Sequence, residues 1–260
     1  MSPPRGLGKS GRRVDNDAWG LLVKEFQLEA VHTMDMTQVA NLFLLAPGAL
    51  LAISLHEASH GYAANRLGDD TAKMLGRLTL NPLKHIDLVG TVIVPTVLYI
   101  FGGMMFGWAK PVPVNMMNLR NPKRDMALVA AAGPAANLAI ALLASFLLYG
   151  MVPLLKVIEP GGQMLQTVIV PLVVICYFAV QFNLFLMVFN LLPIPPLDGG
   201  RILVGLLPDR QARAVAAIEP YGMFIVIGLL MLGVVSFLVF PIRLLSQVMI
   251  PATFQPIFGM

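Results

Sequence analysis

Apolar and polar positions along this chain fall into blocks rather than alternating. Residues 39–55, 88–108, 126–155, 165–197 and 221–240 contain no charged side chain. A helix needs roughly 20 apolar residues to cross the hydrocarbon of a bilayer. The blocks meet or approach that length. They predict an all-α polytopic membrane protein, a helical bundle with about four to five transmembrane segments. A different pattern precedes them. Trp19, Leu22, Val23, Phe26 and Ala30 recur at helical spacing among polar residues, which predicts an amphipathic helix lying at the interface. The chain therefore divides into a basic tail with that interfacial helix (1–38), a membrane core (39–203), and a C-terminal transmembrane helix with an interfacial tail (204–260).

Composition sharpens the picture. Of 260 residues, 57% are hydrophobic and 12% charged, about half the charged fraction of an ordinary soluble domain. Mean hydropathy is +0.76. The net charge of +4 is spread over the tail and loops. Basic residues there set orientation against anionic lipid, and the charge is too diffuse for nucleic-acid binding. The single Cys176 lies inside an apolar block, which excludes a disulfide framework and a thiolate metal cage. No apolar run directly follows the basic first 18 residues, so they do not read as a cleavable signal peptide. No internal repeat is present. The polar loops, about 20 residues at most, are too short to hold a soluble domain.

One polar cluster interrupts this pattern. His56-Glu57-Ala58-Ser59-His60 closes the first apolar block and fits H-E-x-x-H. On a helix, positions i and i+4 share a face, so both imidazoles reach one metal ion with Glu57 beside it. Zinc hydrolysis requires two neutral nitrogen ligands, an open position for water, and a carboxylate to accept the water's proton. Two histidines hydrogen-bonded at a membrane interface are the bland alternative. It does not explain three costly ionisable groups gathered beside a lipid-facing run.

A hydrolytic zinc site takes a third protein ligand. His32, in the surface helix, and His85, in the loop Asn81-Pro82-Leu83-Lys84-His85-Ile86-Asp87, are candidates by type, but both lie in polar connecting segments. Asp198 is the better candidate. It follows Pro193, Pro195 and Pro196 and precedes Gly199 and Gly200. Irregular backbone at membrane depth is tolerated only where protein buries it or it lines a cavity.

These stretches resemble one family. The HEASH sequence, Phe189-Asn190-Leu191-Leu192-Pro193-Ile194-Pro195-Pro196-Leu197-Asp198-Gly199-Gly200 and, between them, Ala132-Gly133-Pro134-Ala135-Ala136-Asn137 are similar to the motifs of the site-2 proteases. These are the intramembrane zinc metalloproteases of peptidase family M50. The resemblance runs from about residue 51 to about 203. It implies one Zn2+ per chain held by His56, His60 and Asp198, with Glu57 as the base and Asn190 and Asn137 as polar neighbours. Residues 76–82 and 107–115 point to the short branch without a PDZ or CBS domain. The implied activity is hydrolysis of transmembrane or membrane-anchored protein substrates within the bilayer or at its edge. The implied setting is a multi-pass protein of a bacterial-type plasma membrane.

An amide buried without a partner costs about 1–3 kcal/mol. Asn137 and Asn190 therefore either stabilise a developing oxyanion or bond neighbouring helices together. The stretch Lys110-Pro111-Val112-Pro113-Val114-Asn115 also has two readings. Lys110, Val112 and Val114 offer a substrate strand an edge, or the stretch is an interfacial loop anchored by Trp108. Two other functions fit parts of the pattern. Intramembrane His, Glu and Asp line ion paths in metal or proton transporters, but those paths need more than one such cluster. A catalytically silent scaffold would not need an intact H-E-x-x-H.

One metal shared by His56, His60 and Asp198 also sets topology. The ends of the first and fourth apolar blocks then lie at one depth, and 88–108 must enter the membrane and return. That makes it a re-entrant loop or β-hairpin, with breaks at Pro95, Gly102, Gly103 and Gly107. Basic residues of 66–124 and 201–213 fall on the metal side, which places the active site nearer the cytoplasmic face. Lys156 and Arg243 fall on the other. The basic tail opposes this count, so either it is translocated or 88–108 spans.

Overall fold

The computed structural model describes residues 34–94, 96–97, 107–155, 162–233 and 235–258. The interfacial helix expected within 1–38 lies outside them apart from 34–38, as does His32. No strand occurs among the described residues, and the protein is an all-helical membrane protein.

Helix α1 (Met34–Arg66) contains Pro47 and carries H-E-x-x-H in its last three turns. Helix α2 (Pro122–Leu155) contains Pro134 and Pro153. Helix α3 (Val170–Asn190) follows a π-helical turn at Leu165–Ile169. The proline run then leads into α4 (Asp198–Leu206), α5 (Asp209–Ala216), α6 (Glu219–Met231) and α7 (Val235–Met249). Two described helices, Pro122–Leu155 and Leu165–Asn190, are long and apolar enough to cross a membrane. The α5–α6 pair, bent by 62°, makes a third if taken as one span.

Helix α2 is the centre of the bundle and touches α1, α3 and α4. Its buried stripe of Ala141, Ala144, Leu148 and Leu155 meets Val173, Cys176, Val180, Leu184 and Met187 of α3. Both stripes step by three or four residues, the half-buried Met151 and Val152 bridging Leu148 and Leu155, and that period keeps side chains on one helix face. Two alanines let α2 approach closely, as small residues do in membrane bundles. The opposite faces are apolar too. Leu142, Leu143 and Phe146 on α2 and Ile175 on α3 point outward, and a helix hydrophobic all round is built for lipid. The C-terminal region joins the same core through Met249, Ile250 and Phe254.

Two features place the chemistry. At the start of α4, a Cβ on Gly199 would sit 2.2 Å from the Leu191 carbonyl oxygen, and one on Gly200 2.2 Å from the Pro195 nitrogen. Only glycine lets α4 turn back against the proline loop so tightly, and this aims Asp198 inward. The second feature is the contact between the two ends of 88–108. The Trp108 N–H donates to the Gly90 carbonyl (3.0 Å) and the Lys110 N–H to the His85 carbonyl (2.8 Å). The Thr91 hydroxyl donates to the Trp108 carbonyl (3.0 Å). Both ends of the segment therefore meet. Residues 95 and 98–106 within it lie outside the described residues.

Candidate metal centre and active site

His56 and His60 stand one turn apart on the face of α1 that meets α2. The helices come very close there. A Cβ on Gly133 would lie 2.5 Å from His60 Cε1 and Nε2, and 2.6 Å from His56 Cε1. A hydrogen at Gly133 is what lets α2 run over both rings. Asn137 follows one turn later on the same face of α2, and Asp198 closes the group from the start of α4.

The three side chains are buried and converge. His56 Nε2 lies 3.1 Å from His60 Nε2 and 3.2 Å from Asp198 Oδ2, and His60 Nε2 lies 3.4 Å from Asp198 Oδ1. All three donors lie within 4.8 Å of one another. Four ligands placed tetrahedrally about 2.0–2.1 Å from zinc are about 3.3 Å apart, so the spacing fits that ion.

Protonation points the same way. His60 Nδ1 is 2.7 Å from the Val129 carbonyl oxygen, which only accepts, so in the neutral ring this nitrogen carries the proton and Nε2 a lone pair. His56 Nδ1 is 2.6 Å from Asn137 Oδ1 and donates to it likewise. Two lone pairs and a carboxylate thus face one point. Asp198 Oδ2 has no hydrogen-bond partner among the described residues. Each buried acceptor left unmatched costs about 1–3 kcal/mol, and a cation held at the common point satisfies all of them.

Glu57 is half-buried beside them, and its Oε2 accepts a hydrogen bond from the Val112 N–H (2.9 Å). The stretch 108–115 thus lies along α1, with Val112 buried against Gly61. Its anchors are polar. Asp69 accepts from the Asn115 N–H (2.6 Å), Asn118 Nδ2 (2.9 Å), the Thr71 N–H (3.0 Å) and the Thr71 hydroxyl. Burial alone would raise the Asp69 carboxyl, but the bonds from Thr71, Asn118 and Asn115 outweigh it and hold the group below its ordinary value. Arg77 donates to the carbonyls of Lys84, Lys110 (3.0 Å) and Pro111 (3.4 Å).

The other expected residues are placed as follows. Lys110 is exposed, and Val114 packs on the buried Ala64, Leu119 and Val129. Asn190 donates to the Leu186 carbonyl of its own helix (2.9 Å). His85 is buried in its loop, with Nε2 on the Thr79 carbonyl (2.9 Å). Sequence reasoning missed the Val129 carbonyl, the Val112 N–H and Asn183, whose Oδ1 accepts from Asn137 Nδ2 (2.9 Å). Backbone partners leave no mark in a sequence. Asn183 does leave one, as an amide inside an apolar helix that has to find a partner.

Residues 43–233 match the model of peptidase family M50. The chain is 37% identical over 214 residues to “Putative zinc metalloprotease YwhC” of Bacillus subtilis (strain 168), covering 80% of this chain and 90% of that one. It is 33% identical over 197 residues to a protein of the same description, Rip2 of Mycolicibacterium smegmatis, covering 75% of this chain and 69% of that one. No solved structure matches it.

Proposed function

The chain belongs to peptidase family M50, and from that premise we propose that His56, His60 and Asp198 hold its zinc ion and that Glu57 moves the proton in catalysis. The protein is an intramembrane zinc metalloprotease, a zinc-dependent endopeptidase acting on peptide substrates. The observation that carries the residue assignment is the meeting of two imidazole nitrogens and one carboxylate, buried and 3.1–3.4 Å apart, with Asp198 Oδ2 lacking a hydrogen-bond partner among the described residues and Glu57 beside them.

Zinc supplies Lewis acidity at such a site, making water acidic near neutral pH and polarising a carbonyl. The chain supplies the rest. The Val112 N–H fixes Oε2 of Glu57, so Oε1 is the oxygen that takes the proton of the attacking water and delivers it to the leaving amine. Gly133 and the apolar walls around it exclude bulk water. Asn137 orients His56. Asn190, at the end of α3, is the candidate donor to the developing oxyanion.

The substrate is a transmembrane or membrane-anchored protein, whose helix has to unwind before its peptide bonds can be reached. Lys110, Val112 and Val114 would hold the unwound segment by strand pairing. The anchors at Asp69, Arg77, His85 and Gly90 support that reading because they hold 108–115 in place beside α1. The meeting of Trp108 with Gly90 supports a re-entrant 88–108. With α1, α2, α3 and the bent α5–α6 pair each counted as a span, the bundle has four crossings, and the short apolar α7 would make a fifth, in a bacterial-type plasma membrane with the metal nearer the cytoplasmic face. Residues 39–203 form the catalytic core, and 204–260 add the last span and an interfacial tail.

The test uses protein reconstituted with a model transmembrane substrate. Glu57→Gln should keep zinc and lose at least about 100-fold in turnover, the scale for losing a general base. Turnover near wild type would sink the role of Glu57.

A further inference from the structure

We propose that Asn183 is a positioning residue for the metal centre, setting through Asn137 which nitrogen of His56 carries the proton. The proposal rests on His56 being a zinc ligand.

The relay crosses three helices. Asn183 Nδ2 donates to the Ala179 carbonyl on α3 (2.8 Å), and Asn137 Nδ2 on α2 donates to Asn183 Oδ1 (2.9 Å). Asn137 Oδ1 lies 2.6 Å from His56 Nδ1 on α1. Asn183, Asn137 and His56 are exposed by only 1%, 0% and 6%, so water does not compete for these bonds. An amide's two ends look alike in shape, and their orientation follows from their partners. Here one partner cannot reverse. The Ala179 carbonyl only accepts, so Asn183 turns its NH2 to it and its oxygen to Asn137. That oxygen only accepts, so Asn137 turns its NH2 to Asn183 and its oxygen to His56. The ring must then donate from Nδ1, and its Nε2 lone pair faces His60 and Asp198.

His60 needs no relay, because it reads the Val129 carbonyl directly. His56 lacks such a carbonyl and borrows one from α3 through two amides. Without the Asn183 oxygen, Asn137 is free to rotate and present its NH2 to the ring. His56 would then accept at Nδ1 and carry its proton on Nε2, the nitrogen a metal requires bare. Asn183 also lines a partly open groove with Pro47, Gly48, Phe178 and Phe182, and leucine branches at Cγ as the amide does.

The experiment combines two readouts. In metal-free protein labelled with 15N-histidine, nitrogen NMR reports the tautomer of each of the four histidines. Zinc affinity is measured on the same variants by competition with a chelator. Wild type should show His56 with its proton on Nδ1. Asn183→Leu should move population to Nε2–H and weaken zinc binding by about 10–100-fold, the range for partners that orient a ligand. Asn183→Asp should stay close to wild type in both, because an uncharged carboxyl donates to Ala179 and accepts from Asn137. Ser145→Ala, which removes the buried bond to the Met249 carbonyl, should lower stability and leave the tautomer alone. An unchanged tautomer in Asn183→Leu would overturn the relay, and so would an Asp variant as impaired as the leucine one. A shifted tautomer with unchanged zinc affinity supports the relay and overturns His56 as a ligand instead.

Discussion

Gly133 shows how much one missing methyl group decides. A Cβ there would sit 2.5 Å from His60 and 2.6 Å from His56, and real Cβ contacts do not come that close. Gly133→Ala should push α2 off the rings, lengthen the Val129 and Asn137 bonds together and weaken zinc binding by about 10–100-fold. Equilibrium dialysis against a zinc buffer checks this, and wild-type affinity in the alanine variant would contradict the close packing. At this scale the sequence was informative wherever covalent spacing fixes geometry. His56 and His60 share a face because they are four residues apart on a helix, and Glu57 follows. Asp198 was legible because three prolines and two glycines mark a bend that has to be buried. Asn183 and the Val129 carbonyl were not legible. Their roles depend on how α2 and α3 rotate against α1, which no local pattern encodes. Asn190, nearer Asp198 in the chain, bonds its own helix instead.

Residues 108–115 form an element without regular structure, held by side chains and loops rather than by a sheet. Asp69 is its main anchor, fully buried and bound to Thr71, Asn115 and Asn118. Because folding lowers the Asp69 pKa, its contribution is present above the ordinary carboxylate range and is lost as pH falls through the depressed value. Asp69→Ala at neutral pH should speed hydrogen exchange at the Val112 and Asn115 amides at least about 10-fold while zinc stays bound. Unchanged exchange would mean that other contacts hold the stretch. The element was only partly foreseen. Its prolines marked it as extended, but its closure onto His85 and Gly90 comes from long-range backbone bonds. Helices α2 and α3 were the easiest to read, because lipid outside and core inside both demand apolar residues and leave long uninterrupted blocks.

Across the whole molecule, the proposed shared metal would tie α1 to the start of α4, more than a hundred residues later. It requires Lys84 and Lys110 to lie on one side of the membrane. With Cys176 replaced, single cysteines at these two positions should react with an impermeant thiol reagent from the same face of oriented vesicles, and a cysteine at Lys156 only from the other. Opposite labelling of the first pair would overturn the topology. The central claim is the ligand set itself, and counting zinc on purified protein tests it most directly. Wild type should bind about one ion per chain. His56→Ala, His60→Ala and Asp198→Ala should each lower that occupancy sharply, and His85→Ala should leave it unchanged. Loss of zinc in His85→Ala together with full occupancy in Asp198→Ala would contradict the account.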